Sequence, residues 1–399
     1  MKKILLLGGL RYLIPVIESA HKFGYYVITC DNVPSNIAHN YSDEYHNVSI
    51  LDKDKILQLA QELSISGIMS FAVDPGVATA AYVAEKMDLS FAGSYDSVCI
   101  LQNKDLFRAF LTKHKFNVPI SGGYADLKSI TEDIDRFNFP IIVKPVDSAG
   151  SKGVNRVDSI DELEFAVEEA LRLSFTKRII VEEFIEQKGY SSDSDCFSIN
   201  GQLVFVSFSD QLFDSSAINP YTPSAYIWPN SMTEENKYEL KDELQRLFDL
   251  LKLKTSIYNI ETRVGKDGKP YIMEVSPRGG GNRISEILAM ATPINLIDCA
   301  VKASVGDLID IPATWSYEDI WCELILHSDK DGVFEDIQID SSISKYIVES
   351  DIWVNKGDVV HRFSGANETI GTLILKFTSK DEYNFIQKKI KSNIHIIVN

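Results

Sequence analysis

The sequence predicts a protein of mixed α/β and α+β class, with a doubly wound parallel sheet near the N-terminus and a smaller α+β unit at the C-terminal end. Residues 4–30 read as a strand, a glycine turn, a helix and a second strand, and such βαβ units form parallel sheets. Farther along, Asn200-Gly201 and Asp267-Gly268 each separate two apolar runs, which is typical of an antiparallel hairpin. We therefore expect a parallel sheet first and antiparallel sheets after it.

Length and charge limit the classes to which the chain can belong. It has 399 residues, so we expect two to three domains at about 150 residues each. The formal net charge of −17 argues against broad nucleic-acid binding, which needs a basic surface. No apolar run approaches the roughly 20 residues of a membrane helix. The five cysteines form no C-x-x-C pair, which favours reduced thiols and a cytoplasmic location.

The first domain is expected over residues 1–102. After the βαβ unit, the pattern predicts a helix over Lys53–Leu63, a strand over Gly67–Ala72 and a helix over Val77–Met87. Asp74 follows the strand at the sheet edge where doubly wound folds bind ligands, so it is a candidate substrate-binding residue. A helix cap is the alternative role for Asp74.

The Gly8-Gly9 turn, with Asp31 at the end of the next strand, is a partial dinucleotide-binding fingerprint. The full G-x-G-x-x-G motif is absent, which favours a plain tight turn. A nicotinamide enzyme stays open as an alternative.

A loop of small residues, 147–153, follows the strand that ends near Lys144. Its serines and glycines expose backbone N–H groups that can hold phosphate oxygens, and Lys144 adds a cation. The other candidate nucleotide-binding residues in this loop are Ser148, Ser151, Lys152 and Gly153. A flexible surface hairpin is the alternative, since the Walker A motif is absent.

A second candidate nucleotide-binding segment is the predicted strand Arg178–Ile185, which ends in paired acids. Backbone groups at the end of such a strand can pair with an adenine edge. The candidate residues are Glu182, Glu183, Phe184 and Ile185. A solvated strand end is the alternative.

Glu261 and Glu274 lie at equal distances from the predicted turn Asp267-Gly268. Pairing of the two strands places their Cβ atoms about 5 Å apart on one face. Two carboxylates this close repel each other unless a cation lies between them, and Mg²⁺ prefers such oxygen ligands. Two exposed acids facing water are the alternative.

The segment after this hairpin carries two arginines, Arg278 and Arg283, on either side of a glycine run. Two cations there can hold a phosphate or a substrate carboxylate. Gly280, within the run, is a further candidate substrate contact.

In chain order, Lys104, Lys144 with its loop, the acidic segment 182–185, Glu261 and the Glu-Val-Ser-Pro-Arg segment 274–278 resemble the ATP-grasp superfamily. The nearest resemblance is to its carboxylate–amine ligases, which include L-amino-acid ligases and purine-pathway ligases. The last segment also resembles formate-dependent glycinamide ribonucleotide transformylases. The resemblance implies an ATP-grasp fold that covers nearly the whole chain.

The resemblance implies three parts of the chain. These are a pre-ATP-grasp domain over 1–102, an ATP-grasp domain over 103–305 and a C-terminal unit over 306–399. A mobile lid subdomain is expected at about 118–184, and a homodimer is the expected assembly.

The resemblance also implies that the cofactors are ATP and Mg²⁺ or Mn²⁺, and it assigns roles to the residues. Lys104 and Lys144 contact the phosphates, and the 148–153 loop covers these phosphates. Adenine is surrounded by Glu182, Phe184 and Ile185. The metal is held by Glu261 and Glu274, and Arg278 stabilises the phosphate that is transferred. Ser276 stands where the family has asparagine as a third metal ligand. Asp193, with Asp195 as alternative, replaces the family's ribose-binding glutamate.

The reaction expected from the resemblance is ATP-dependent ligation of a small carboxylate to a small amine through an acyl-phosphate. The alternatives are a transformylase or carboxylase of the same superfamily, and a non-catalytic ATP-binding protein.

In the C-terminal part, strands are predicted over Trp321–His327, Ile343–Glu349 and Gly371–Phe377, with a helix over Asp381–Ser392. The stretch 219–230 reads as a loop that lines a pocket with Tyr221, Tyr226 and Trp228.

Overall fold

The structure, a computed structural model, describes residues 1–148, 150–387 and 390–399. The chain divides into two compact units, each made of three segments. Unit 1 contains Met1–Val118, Asp193–Ser207 and Thr233–Trp315, and unit 2 contains Pro119–Ser192, Phe208–Met232 and Ser316–Asn399. The three-part division expected from the sequence stays a prediction.

The strands are numbered in chain order. They are β1 Lys3–Leu7, β2 Tyr26–Cys30, β3 Glu44–His46, β4 Gly67–Ser70, β5 Ser121–Tyr124, β6 Ile141–Pro145, β7 Asn155–Val157, β8 Ile179–Glu183, β9 Ser192–Ile199, β10 Gln202–Val206, β11 Asp210–Phe213, β12 Pro223–Trp228, β13 Ser256–Val264, β14 Pro270–Ser276, β15 Ile320–His327, β16 Gly332–Ile339, β17 Ile347–Ile352, β18 Val359–Val360, β19 Thr369–Phe377 and β20 Ile394–Val398.

The α-helices are numbered in the same way. They are α1 Ile14–Lys22, α2 Lys53–Leu63, α3 Asp74–Lys86, α4 Tyr95–Gln102, α5 Lys104–Lys113, α6 Leu127–Asp133, α7 Leu163–Leu173, α8 Glu234–Leu251, α9 Ile284–Ala291, α10 Leu296–Ser304, α11 Ser341–Ser344, α12 Lys380–Gln387 and α13 Ile390–Asn393. Short 3₁₀ helices lie at Arg11–Leu13, Ile37–Asn40, Ile134–Arg136, Ile160–Glu162 and Ala366–Glu368.

Unit 1 begins with the parallel sheet that the sequence predicts, in the order β3-β2-β1-β4. Four consecutive residues of β1 are fully buried, because helices cover the faces of this sheet and its strands are apolar throughout. Gly8 ends β1 with φ of +121°, a conformation that other residues rarely adopt. The expectation of a parallel N-terminal sheet is confirmed.

Unit 1 also contains the antiparallel sheet β10-β9-β13-β14. Asn200 and Gly201 make the turn between β9 and β10 with positive φ at both residues, as a primed hairpin turn requires. Both predicted hairpins are therefore present, and the second one carries Glu261 and Glu274.

Unit 2 contains three antiparallel sheets, in the orders β5-β8-β6-β7, β11-β12-β15-β19-β17 and β18-β16-β20. The first sheet packs its apolar residues against α7, whose buried face includes Leu163, Val167 and Ala170. The second and third sheets share a core around Leu373 and Leu375 of β19.

Several elements differ from the expectation. The stretch 219–230 is not a loop throughout, because β12 occupies Pro223–Trp228, and proline is tolerated as the first residue of a strand. Tyr226 and Trp228 are fully buried there. The predicted helix Asp381–Ser392 corresponds to α12 and α13, and its residues 388–389 lie outside the described part of the chain.

Helices α9 and α10 were not expected from the sequence. Both are short and bury most of their residues. Among the described residues, no single helix has the length and apolarity to cross a membrane. Taken together, α9 and α10 pass that test on length and composition alone, although they are bent by 120°.

Candidate active site

Glu261 and Glu274 occupy directly paired positions on β13 and β14 of unit 1. Both side chains are half-buried, so they are not two acids facing open water. The Lys104 ammonium lies 3.1 Å from the Glu274 carboxylate. Two acids and one cation that are far apart in the sequence therefore form one cluster.

Lys104 is held at this position because α5 begins with it. The preceding Asn103 caps α5 by accepting hydrogen bonds from the backbone N–H groups of Asp105 and Leu106 at 3.1 and 3.0 Å. Burial lowers the pKa of Lys104, but the carboxylates of Glu274, Asp74 and Glu261 outweigh burial and raise it above its ordinary value. Lys104 therefore stays an ammonium ion at neutral pH.

Asp74, Ser276 and Arg278 form a second cluster in unit 1. Arg278 donates from Nε and Nη2 to the two carboxylate oxygens of Asp74, at 2.9 and 2.7 Å. The Ser276 hydroxyl donates to Asp74 at 2.9 Å and accepts from the Gln102 amide at 2.8 Å. Burial raises the pKa of Asp74, yet the guanidinium of Arg278 outweighs it and the pKa is lowered.

A third cluster in unit 1 joins β9 to the glycine run. The Asn259 amide donates to Asp193 at 2.7 Å and to Asp195 at 3.2 Å. Asp195 is fully buried and also accepts from the Gly280 backbone N–H at 2.9 Å and from the Ser285 hydroxyl. Burial raises the pKa of the Asp195 carboxyl despite these hydrogen bonds. A Cβ at Gly280 would lie 2.8 Å from the Asn259 amide, so this approach needs glycine.

The end of the glycine run is a strained turn. Asn282 and Arg283 both have positive φ, at 50° and 59°, and Arg283 is the residue before α9. Strain of this kind is concentrated at functional sites. The Arg283 guanidinium donates to Glu286 at 3.0 and 2.8 Å, so its charge is partly neutralised within α9.

In unit 2, Lys144 of β6 pairs with Glu182 of β8. The two strands are antiparallel, and the Lys144 ammonium contacts the Glu182 carboxylate. The side chains are 14% and 3% exposed, so a charged pair lies almost fully inside the unit. Such a pair costs desolvation energy, which favours a role in ligand binding over one in stability.

The remaining residues of the predicted adenine segment have distinct neighbours. Glu183 accepts two hydrogen bonds from Asn138, both at 2.8 Å, so its carboxylate holds the chain before β6. The Arg156 guanidinium lies 4.8 Å from the centre of the Phe184 ring. Ile185 follows Phe184 as a half-buried residue outside β8.

The small-residue loop of unit 2 is ordered by hydrogen bonds within that unit. Ser151, with φ of 58°, donates from its hydroxyl to the Tyr221 carbonyl at 2.9 Å. The Ser148 hydroxyl donates to the carbonyl of Lys152 at 2.9 Å, and Gly153 has φ of 73°. Ala149 of this loop lies outside the described residues.

A divalent cation would find a suitable pair of ligands at Glu261 and Glu274. Mg²⁺ is usually held by one or two protein carboxylates together with phosphate oxygens and water, so two ligands suffice. The Ser276 hydroxyl, predicted as a third ligand, is 1% exposed and already bonded to Gln102 and Asp74. No group of three or more His, Cys, Asp or Glu side chains is placed for a metal anywhere among the residues that the structure describes.

The structure thus brings many predicted site residues into clusters, and their roles stay predictions. Sequence reasoning missed Asn259, Ser285 and Gln102. Asn259 lies two residues before Glu261 on the same strand face, so strand periodicity could have found it. Gln102 ends α4, which was itself not expected, and it gave no signal.

Comparison with known proteins gives one family match. Residues 137–286 match the family model of the ATP-grasp domain. The chain is also 22% identical over 292 residues to the carbamoyl phosphate synthase large chain of Thermotoga petrophila, covering 73% of this chain and 26% of that protein. The chain therefore spans about a quarter of the length of the curated relatives it matches.

Solved structures share the fold over the whole chain. L-amino acid ligase from Bacillus licheniformis has a TM-score of 0.85 at 20% identity, with coverage of 100% of this chain and 99% of that chain. The biotin carboxylase domain of 2-oxoglutarate carboxylase from Hydrogenobacter thermophilus, solved with MgADP, has a TM-score of 0.74 at 15% identity, with coverage of 100% and 91%. At these identities the likeness concerns the fold.

Proposed function

We propose that the chain is an ATP-dependent carboxylate–amine ligase, because residues 137–286 match the model of the ATP-grasp domain and the fold matches that of an L-amino acid ligase. The observation that supports this most strongly is the cluster of Lys104, Glu261 and Glu274 in unit 1. Paired carboxylates with a neighbouring ammonium suit a metal-bound polyphosphate, and a purely structural hairpin does not need them.

We propose the following roles toward ATP. In unit 1, Lys104 binds phosphate oxygens and Asp193 binds the ribose hydroxyls. In unit 2, Lys144 and the loop that contains Ser148, Ser151, Lys152 and Gly153 bind the phosphates, and Glu182, Glu183, Phe184 and Ile185 surround adenine. Backbone N–H groups of a serine- and glycine-rich loop suit phosphate oxygens because they carry fixed partial charges.

Mg²⁺ or Mn²⁺ would be held by Glu261 and Glu274. Ser276, the expected third ligand, already bonds to Gln102 and Asp74 through its hydroxyl. When bound, such an ion neutralises charge on the phosphate oxygens. The chain's own residues orient the nucleotide: Lys104 adds a positive charge beside Glu274, and Arg278 adds another beside Ser276.

The proposed reaction has two steps. A substrate carboxylate oxygen attacks the γ-phosphorus, the bond to the ADP oxygen breaks, and an acyl-phosphate and ADP form. The amine nitrogen then attacks the acyl carbon, the bond to phosphate breaks, and an amide, inorganic phosphate and a proton are produced. Arg278, with Gly280 and Arg283 nearby in the chain, would hold the transferred phosphoryl group or the carboxylate, mostly through charge and position.

The substrates are proposed to be a small carboxylate and a small amine. Amino acids are the first class to test, since the fold matches that of an L-amino acid ligase with a TM-score of 0.85. The homodimer expected from the resemblance stays a prediction.

The decisive experiment is an ADP-release screen of the purified protein with ATP and Mg²⁺. Amino acids, short peptides and phosphoribosyl amines are offered singly and in pairs, with formate and bicarbonate as further acceptors or donors. ADP formed only with a carboxylate and an amine together supports the ligase. ADP formed with formate or bicarbonate points to a transformylase or carboxylase, and no ADP with any pool points to a non-catalytic nucleotide-binding protein.

The metal ligands are tested with Glu274→Gln. This substitution keeps the shape of the side chain and removes the charge, so we expect ADP release to fall by on the order of 10³-fold. Glu235→Gln, an exposed glutamate in the first turn of α8, is the matched control and should match the wild type. Full ADP release by Glu274→Gln would overturn the assignment of this residue to the metal.

A further inference from the structure

Asp74 of unit 1 contacts two residues at the carboxyl end of β14. These are Ser276, the last residue of the strand, and Arg278, which follows it. Asp74 is the first residue of α3, far from β14 in the sequence, and its side chain is 18% exposed. One oxygen accepts from Ser276 and from Arg278 Nε, both at 2.9 Å, and the other accepts from Arg278 Nη2 at 2.7 Å. The two-point arrangement fixes the plane of the guanidinium as well as its position.

The remaining donors of Arg278 are oriented by this pair. Nη1 donates to the carbonyl of Gly279 at 3.0 Å, so three of the five guanidinium N–H groups are used within the described residues. One N–H on each terminal nitrogen is left for another acceptor. Two such donors match two oxygens of one carboxylate or phosphoryl group.

We propose that Asp74 is a positioning residue that holds Arg278 in the plane from which it binds the carboxylate or phosphoryl group, and does not itself bind the amine substrate. This proposal rests on the proposed ligase function. The alternative role for Asp74 is direct binding of the substrate ammonium. The hydrogen bonds of Asp74 favour positioning, because Ser276 and Arg278 together use three of the roughly four acceptor sites of the carboxylate.

The kinetic test uses Asp74→Asn, Arg278→Met and the double variant in the ADP-release assay with the best substrate pair. Positioning predicts that Asp74→Asn lowers kcat by on the order of 10²-fold while the KM values for ATP and the amine stay within about twofold. It also predicts that the double variant is no slower than Arg278→Met, since Asp74 acts through that arginine. Losses that multiply in the double variant, or a rise in the KM of the amine alone, would overturn it.

Two further variants separate positioning from damage to the fold. Asp74→Glu keeps the charge and one possible contact to Arg278, so it should recover part of the lost kcat. Asp96→Asn removes an exposed acid from the first turn of α4 and should leave kcat unchanged. Equal losses in Asp74→Glu and Asp74→Asn, with unchanged melting temperatures, would count against a charge pair with Arg278.

A labelling experiment tests the contact between Asp74 and Arg278 and does not require enzymatic activity. Phenylglyoxal reacts with accessible guanidinium groups, and peptide mass spectrometry reads the modification of Arg278. The bidentate pair predicts slow labelling in the wild type and in Asp96→Asn, and several-fold faster labelling in Asp74→Asn. Equal labelling rates would overturn the proposal, whereas a wild type that releases no ADP but shows the expected rates would overturn the ligase function alone.

Discussion

At the residue scale, the paired acids Glu261 and Glu274 depend on a neighbouring cation, which in unit 1 is the ammonium of Lys104. Two carboxylates at paired positions repel each other, and at an effective dielectric constant of 20 a unit charge 4 Å away contributes about 4 kcal/mol. The same ammonium therefore competes with a divalent cation for Glu274 whenever no phosphate is present to bind it.

This competition predicts the effect of Lys104→Met on metal binding. The substitution leaves both carboxylates without their ammonium, so we expect the affinity for Mn²⁺ in the absence of nucleotide to rise roughly tenfold, or about 1.4 kcal/mol. The affinity for ADP should fall in the same variant. Electron paramagnetic resonance of free Mn²⁺ measures the first effect and calorimetry the second.

Lys113→Met, in the last turn of the same helix, is the control and should leave Mn²⁺ binding unchanged. If Mn²⁺ binds Lys104→Met no more tightly than the wild type, Lys104 does not occupy the cation position.

The cysteines give a second prediction at this scale. Cys30, Cys196, Cys299 and Cys322 are buried, and only Cys99 is half-buried. Burial raises the pKa of Cys30 to about 12 and that of Cys299 to about 11, so almost no thiolate exists at pH 8. We expect iodoacetamide at pH 8 to label Cys99 first. Mass spectrometry of tryptic peptides measures the order, and the denatured protein, which should label at every cysteine, is the control.

Labelling of Cys30 or Cys299 as fast as Cys99 would mean that the first sheet or α10 opens readily in solution.

At the element scale, the hairpin β13–β14 shows why the sequence could place the two glutamates. The prediction that Glu261 pairs with Glu274 came from counting residues outward from Asp267-Gly268, which assumes a two-residue turn and a regular hairpin. The observed pairing next to the turn, Val264 with Pro270, is shifted by one residue from that count. A β-bulge between Glu261 and Thr262 shifts the pairing back. The predicted pairing is correct because the turn and the bulge compensate each other.

The elements that were not predicted share a physical reason. Helices α4, α9 and α10 have only eight or nine residues each, so each one shows its periodic pattern over little more than two turns. The contact of Asp74 with Arg278 joins α3 to the segment that follows β14, about 200 positions away in the chain, and no local pattern encodes it. Residue spacing in the sequence was enough to predict a contact within one hairpin. Contacts between distant segments depend on tertiary packing, which the spacing does not show.

Helix α5 gives the prediction for this scale, because its cap sets the position of Lys104. Asn103→Ala removes both hydrogen bonds to the backbone N–H groups of Asp105 and Leu106, so unfolding should become easier by about 1 kcal/mol. Asn103→Ser restores a capping oxygen and should lie close to the wild type. Denaturant unfolding followed by circular dichroism measures the difference, and an unchanged midpoint in Asn103→Ala would show that the cap contributes nothing.

At the scale of the whole molecule, the net charge of −17 does not describe the interior, where several cations are buried. Lys104, Lys144 and Arg278 are each mostly buried and each contacts a carboxylate within its own unit. A buried cation without such a partner would cost several kcal/mol, so each of these cations requires its carboxylate. An acidic chain can therefore bind a polyanion, since the local field near these residues differs from that of the surface.

Ligand binding to the folded chain should then raise its thermal stability. A ligand present at 100 times its Kd stabilises the folded state by about 2.7 kcal/mol, which in a protein of this size corresponds to a rise in Tm of a few degrees. We expect this rise with ADP plus Mg²⁺, measured by differential scanning fluorimetry. The Mg²⁺-dependent part of the rise should disappear in Glu274→Gln, because the metal would lose one of its two carboxylates. NADH should cause no shift, since the Gly8-Gly9 turn lacks the remaining glycines of a dinucleotide-binding motif. A rise in Tm with NADH and none with ADP plus Mg²⁺ would contradict this prediction. It would indicate a nucleotide site at the parallel sheet and favour a nicotinamide enzyme.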